Sequence, residues 1–302
     1  MTQIGALPLS APSSDFRKGV LLVAGAALVW SFGGAIGRFI HIADPWTMVF
    51  WRSLFAFLFL LGFMLWRDGV KGTIGLFRAM GLAGLGVGLC FATASSSFVV
   101  AMQHTTIANI LLIQAGAPLF AALMAWIIFK EKVNVMTWAA IAAVIAGVGI
   151  MVSGSFSGSV SPVGDGLALV ISICFSIATV ITRHAPHVRM TPAVTLATFI
   201  AGCAGALLST DLLAVSGPDY AWLFLFGAVN LGMGLVMFVT GARLVPAALG
   251  ALVSTLEPAL GPVWVWLIHN EVPGVRTLIG GGIVFAALVI HILADGWRRQ
   301  RG

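Results

Sequence analysis

Charge is scarce in this chain. Asp, Glu, Lys and Arg make up 9% of its 302 residues, where soluble domains carry about 25%. With 60% hydrophobic residues and a mean hydropathy of +1.05, that shortage excludes a soluble globular protein. Cysteine is scarce too. Cys90, Cys174 and Cys203 lie far apart in apolar stretches with no C-x-x-C pair, so neither a disulfide framework nor a metal centre is expected. Tyrosine occurs once, beside 10 Trp and 20 Phe. The chain also lacks H-E-x-x-H, G-x-x-x-x-G-K-[ST] and a strand-linked G-x-G-x-x-G, which removes zinc proteolysis, ATP as an internal energy source and dinucleotide binding. No paired acid or Ser/His combination lies deep in an apolar run. Catalytic residues, cofactors and metals are therefore not expected.

Long apolar runs are abundant. A hydrocarbon core of about 30 Å needs about 20 apolar residues in a helix. Ten such runs occur, at 19–40, 46–66, 79–101, 105–129, 134–152, 163–183, 191–210, 219–241, 246–268 and 274–294. None alternates like a barrel strand, so the predicted class is an all-α integral membrane protein with ten transmembrane helices. The first run spans 22 residues behind Arg17-Lys18, longer than a cleavable signal core of about 7–15 residues. With the N-terminus in the cytoplasm, thirteen of the sixteen Lys and Arg fall inside, Arg38 and Arg276 fall outside, and Arg52 lies within run 2. That distribution obeys the positive-inside rule and predicts both termini in the cytoplasm. It also accounts for the net charge of +6 without a nucleic-acid partner. Asp44, Asp165, Asp211 and Asp219 are assigned to outside loops, and Trp46, Trp66, Trp222 and Trp297 to the interfacial belts.

The chain repeats itself in two registers. At a shift of 145, Ser31 meets Ser176, Arg38 meets Arg183, and Trp30 faces Phe175. At a shift of 140, Ala108 meets Ala248, Leu112 meets Leu252, Pro118 meets Pro258, Trp126 meets Trp266 and Glu131 meets Glu271. Two five-helix repeats follow, residues 17–152 and 163–294, forming one transport unit. The Gly/Ser-rich stretch 153–161 joins them. Five is odd, so the second half enters from the opposite side, a 5+5 inverted-topology repeat with its site where the halves meet.

Within the runs, polar and broken positions mark the candidate site. Glu257 is an acid in an apolar run, a costly placement by about 2.5–3.5 kcal/mol. It suits either contact with a substrate amino group or proton coupling; pairing with a neighbouring helix is the structural alternative. Pro258 leaves the Ser254 carbonyl without its helical donor, and Pro118 does the same to Gln114. Both are helix-break or gating positions. Trp30, Phe91 and Phe175 are expected as apolar walls, and Ser95, Gln114 and Asn230 as hydrogen-bonding groups. Gly84, Gly88, Phe91 and Ser95 share one face of run 3, and Gly227, Asn230 and Gly234 one face of run 8. Arg52 is expected to anchor or to form an ion pair. Glu131 and Glu271 fall at helix ends, where water can solvate them.

Particular residues carry a family resemblance. Trp30-Ser31 is similar to an aromatic–small signature in a first helix. Arg52 followed by Ala56 matches an Arg-x-x-x-Ala pattern. The run Ala117-Pro118-Leu119-Phe120-Ala121-Ala122-Leu123-Met124-Ala125-Trp126, with Glu131 after it, has a second copy in Glu257-Pro258-Ala259 through Trp266, ending at Glu271. In these the chain resembles the drug/metabolite transporter superfamily in its ten-helix EamA-domain form, and within it the bacterial amino-acid exporters. The resemblance implies a central cavity lined by runs 1, 3, 4, 6, 8 and 9, with runs 5 and 10 peripheral. It implies export of amino acids or related metabolites across the inner membrane by alternating access. The absence of tyrosine from run 3 leaves substrates smaller or broader than aromatic ones open. The expected partners are a small-molecule substrate, the lipid bilayer and a coupling proton, in a monomer or weak dimer. A drug, nucleobase-like metabolite or nucleotide sugar is the alternative cargo, and a channel the alternative mechanism.

Overall fold

The computed structural model describes residues 14–131, 133–153, 161–242, 244–245, 250 and 253–301, with the backbone alone for 14 and 295–301. Most of the 153–161 join, Lys132, Arg243 and the repeat matches at Ala248 and Leu252 lie outside the described residues, as does the side chain of Trp297. The described residues form helices: α1 Ser14–Ser31, α2 Gly33–Arg38, α3 Pro45–Ala79, α4 Gly81–Met102, α5 Ile107–Gln114, α6 Ala117–Phe129, α7 Val135–Ser153, α8 Pro162–His184, α9 Thr191–Leu208, α10 Gly217–Phe224, a π-helical segment Leu225–Met233, α11 Gly234–Gly241, α12 Leu256–His269 and α13 Val275–Arg301. Among them eight helical stretches are long and apolar enough to cross a membrane, and the bent pair α5–α6 adds a ninth. The tenth expected run, 246–268, is present as α12 over its second half.

The helix starts are written in the sequence. Asp44 caps α3 ahead of Pro45, Ser161 caps α8 ahead of Pro162, and Ser216 caps α10 ahead of Pro218. A cap satisfies orphan N–H groups, and proline at the first turn has none to lose. Asp44 accepts from the Trp46 and Thr47 amides at 3.2 Å, from Thr47 Oγ1 at 2.8 Å and from the Thr210 amide at 3.2 Å. Partial burial pushes its carboxyl up, but hydrogen bonds from Thr47, Trp46, Ser209 and Thr210 outweigh that and hold it below the usual carboxylate value of 3.8.

Run 1 is one span, Asp15–Arg38, with a single turn residue at Phe32 between α1 and α2, where the Gly33-Gly34 pair allows close approach to α5 and the π segment. Run 2 ends near its expected bound of 66: the helix from Pro45 breaks at Gly69, whose φ of 67° only glycine adopts readily, and a second helical piece carries the chain on to Ala79. Two expectations need correction. Asp165 is not a loop acid but 1% exposed in the first turn of α8. It accepts from Asn109 Nδ2 and from Thr105 Oγ1 at 3.3 Å. Asp219 is also buried, beside Ser216 Oγ at 2.7 Å. Water is a poor competitor at these sites, and local hydroxyl and amide donors satisfy the acids instead.

The pairing of helices carries the repeat. α4 packs on α8 as α11 packs on α1; α6 packs on α8 as α12 packs on α1; α4 packs on α9 as the π segment packs on α3. The pairs α3–α9, α5–α12 and α7–α13 each join a helix to its own counterpart. Exchanging the halves maps this set onto itself. The backbone agrees: Lys130 and Asn270, 140 residues apart, end α6 and α12 in the left-handed conformation, with φ of 55° and 54°. Large side chains such as Leu21, Trp66, Leu82 and Leu207 stay exposed on the outer faces, as lipid-facing residues do.

Candidate functional site

The breaks expected at Pro118 and Pro258 meet in space. α5 and α6 are bent by 42° between Gln114 and Ala117. α12 starts at Leu256 after a turn at Thr255, its own Pro258 in the first turn. Between the two breaks lies a cavity of about 120 Å³ lined by Leu111, Gln114, Ala115 and Pro118 on one side and Ser254, Thr255, Glu257 and Pro258 on the other, with Leu288 of α13 completing the lining. Leu111, Ala115 and Leu288 were not singled out in the sequence, because nothing in an apolar residue's identity separates cavity wall from core.

The chemistry of this cavity is polarised. Glu257 is half-buried and has no hydrogen-bond or ion-pair partner among the described residues. Glu257 lies in the first turn of its own half-helix α12, and the start of α6 at Gly116 lines the same cavity; neither start is capped by a side chain. Uncapped first turns offer N–H groups and the positive end of the helix dipole. Pro118 and Pro258 also withhold donors from the carbonyls of Gln114 and Ser254, and both of those residues line the cavity. The site therefore presents a carboxyl, a free carboxamide, hydroxyls and oriented backbone dipoles in one small volume. Such broken helices are tolerated in a membrane where they face a cavity.

The other expected site residues lie elsewhere. Trp30 and Phe91 pack on the same cluster of Leu60, Val194 and Leu235, and Phe91 meets Phe175 edge-on at 5.1 Å. The three aromatic walls are thus joined in one seam that is not part of the cavity lining. The Trp30 N–H finds no acceptor among the described residues. Ser95 Oγ accepts from Arg52 Nη1 at 2.8 Å. Asn230 Nδ2 donates to the Val29 carbonyl at 2.5 Å, across the break between α1 and α2. Ser95 and Asn230 thus bridge helices here. The small-residue faces do the same: a Cβ at Gly88 would lie 3.0 Å from the Ala193 carbonyl, and one at Gly227 would strike the Arg52 carbonyl, so these glycines let backbones touch.

Arg52 takes one of its two expected roles, the anchor, and forms no ion pair among the described residues. It is 5% exposed, with its guanidinium stacked 4.2 Å from the Phe226 ring. A planar guanidinium, more weakly hydrated than an ammonium, can lie flat on an aromatic face while donating to a hydroxyl.

The EamA-like transporter family matches residues 17–153 and matches again over 162–293. The two matches coincide with the two halves that the helix pairing relates. A solved structure described only as "Crystal structure of protein" shares 17% identity and superposes with a TM-score of 0.64, over 95% of this chain and 99% of that one. At that identity the likeness establishes the fold alone. No curated protein matches the chain. With the same family found once in each half, and the halves meeting at two broken spans around an unpaired acid, the chain belongs to the EamA-like transporter family and is a multi-pass membrane transporter.

Proposed function

We propose that this transporter exports amino acids or closely related small metabolites across a bacterial inner membrane by alternating access, with both termini in the cytoplasm. One observation carries the reading: Glu257, in the uncapped first turn of α12, shares a cavity of about 120 Å³ with the uncapped start of α6. A zwitterion fits that polarity. Its ammonium group pairs with the Glu257 carboxylate, and its carboxylate takes the half-helix N–H groups and the Gln114 amide. Transporters with broken helices bind anionic groups at such half-helix starts. The volume is small beside the about 300–1,000 Å³ of sites for drug-sized ligands, which favours a small solute over a nucleotide sugar. No Lys or Arg lines the cavity, as a phosphate-bearing cargo would require. Trp30, Phe91 and Phe175 then form the adjoining apolar wall that meets a side chain when the cavity opens. Glu257 also serves as the site of proton coupling.

The test is counterflow. Proteoliposomes loaded with one unlabelled amino acid are given a labelled one outside, with aromatic, aliphatic and polar competitors. Saturable accumulation that falls with some competitors supports an amino-acid carrier. Glu257→Gln then removes the pH dependence of flux. Folded protein that accumulates no amino acid, or a Glu257→Gln variant with unchanged pH-dependent flux, overturns the assignment.

A further inference from the structure

The two acids assigned to solvated helix ends are both paired, and in symmetry-related ways. Arg38, at the end of α2, meets Glu271, just beyond α12, at 2.9 Å. Arg183, near the end of α8, meets Glu131, just beyond α6, at 3.1 Å. Arg183 is Arg38 shifted by 145, and Glu271 is Glu131 shifted by 140. The correspondence extends to the neighbouring rings. His269 meets Phe39 edge-on at 4.5 Å, and Phe129 stacks on His184 at 3.7 Å. His269 is the counterpart of Phe129, and His184 that of Phe39, so the same ring contact is built twice with the histidine and phenylalanine exchanged. In both, the left-handed residue Asn270 or Lys130 turns the chain between ring and acid.

Each cluster crosses between the halves, and the two differ in tightness. Glu271 also accepts from the Ile107 amide at 2.7 Å, and Arg38 donates to the Met102 carbonyl at 2.7 Å and the Thr105 carbonyl at 3.2 Å. The side chains there are 30% and 18% exposed, against 56% and 35% for Arg183 and Glu131. Among the described residues, the second cluster adds His184 Nε2, 3.4 Å from Glu131. By contrast, α3 and α9 are tied at both ends at once, through Asp44 with the Thr210 amide at 3.2 Å and Asp68 with Arg189 at 3.2 Å. That pair is a fixed spine.

The clusters are also mechanically joined to the cavity. Thirteen residues separate Pro118 from Glu131, and thirteen separate Pro258 from Glu271. At 1.5 Å per residue each half-helix is a lever of about 20 Å, lining the cavity at one end and latched at the other.

We propose that Arg38–Glu271 and Arg183–Glu131 are the two latches of the transport cycle, one closing each side of the membrane, both formed in this structure and released one at a time. Substrate entering between the half-helix starts tilts α6 or α12, and the tilt is read at its far end as a broken ion pair. The Arg183 latch, with fewer bonds and more water, opens first. The proposal deepens the transport reading, but its test needs no substrate.

Spin labels are placed at His41→Cys and Val272→Cys for one end, and at Val135→Cys and His187→Cys for the other, in a background without the native cysteines. Pulsed electron–electron distances are then recorded in lipid nanodiscs. Glu271→Gln is expected to move the population about tenfold toward long distances at the Arg38 end, the size of one charge-assisted hydrogen bond partly screened by water. Glu131→Gln is expected to lengthen distances at the Arg183 end and leave the other end short. The exchanged pair Arg183→Glu with Glu131→Arg, whose side chains have no backbone partners to mismatch among the described residues, restores the parent distribution at that end. Thermal melts establish that each variant is folded. Variants that open the same end, or that leave both distributions unchanged, overturn the proposal. So does an exchanged pair that folds but stays open. Failure of amino-acid counterflow alongside these opposite shifts would remove the cargo assignment and keep the latches.

Discussion

Two glycines on α7, two residues apart, should respond to the same substitution with opposite signs. Gly147 faces α13: a Cβ there would lie 2.6 Å from the Gly280 carbonyl oxygen and 2.9 Å from Val284 Cγ2. The nearest atom is backbone, so relief requires the two helices to part. Overpacking of this kind costs about 1–3 kcal/mol, against which alanine regains up to about 1 kcal/mol of helix propensity. Gly147→Ala is therefore expected to destabilise by about 0–2 kcal/mol. Gly149 points outward, with nothing within 4 Å of its Cβ position. Gly149→Ala should stabilise by up to about 1 kcal/mol. At about 2–4 °C per kcal/mol for a large domain, the variants should melt several degrees apart, with Gly149→Ala the higher. The assay is thermal unfolding of both purified variants in one detergent at one scan rate. Equal melting temperatures, or Gly147→Ala the higher, would refute the claim that α7 and α13 meet backbone to backbone.

Two further outcomes are expected from polar groups that the helices use among themselves. Asp44→Ala removes the cap of α3 and should cost about 1 kcal/mol at pH 7. The Asp44 carboxyl is held below its usual value, so its contribution is present above about pH 4 and is lost as the pH falls through its folded value; parent and variant melting curves should converge in acid, and a gap that widens there contradicts the capping role. Ser95→Ala takes from Arg52 Nη1 its hydroxyl acceptor among the described residues and should cost about 1.5–3 kcal/mol. In an Arg52→Met background it should be nearly neutral; an equal loss of melting temperature in both backgrounds shows the two residues to be uncoupled.

What the sequence determined by itself follows from rules that need no partner. Hydropathy over about 20 residues located the spans, because lipid demands an apolar surface whatever the packing. Pro118 and Pro258 announced the helix breaks, because a missing N–H is a property of the residue. The shifts of 140 and 145 announced two related halves, and Glu257 announced the cavity by its cost in an apolar run. What only the tertiary structure decided depends on atoms brought together from distant positions. Asp165 looked like a loop acid, yet Asn109 and Thr105 satisfy it inside the bundle. Ser95 and Asn230 looked like substrate ligands, and the structure gives them to Arg52 and to the Val29 carbonyl. Glu131 and Glu271 looked solvated, and each finds an arginine from the other half. The π segment at Leu225–Met233 and the break at Phe32 have no proline to mark them; they arise where α1 and the eighth span press Gly33 against Asn230 and Gly234 against Trp30. A residue's cost in the membrane is fixed by its own chemistry, and so is legible in the chain, whereas the group that offsets that cost is chosen by packing between helices that lie from about 40 to more than 200 residues apart in the sequence.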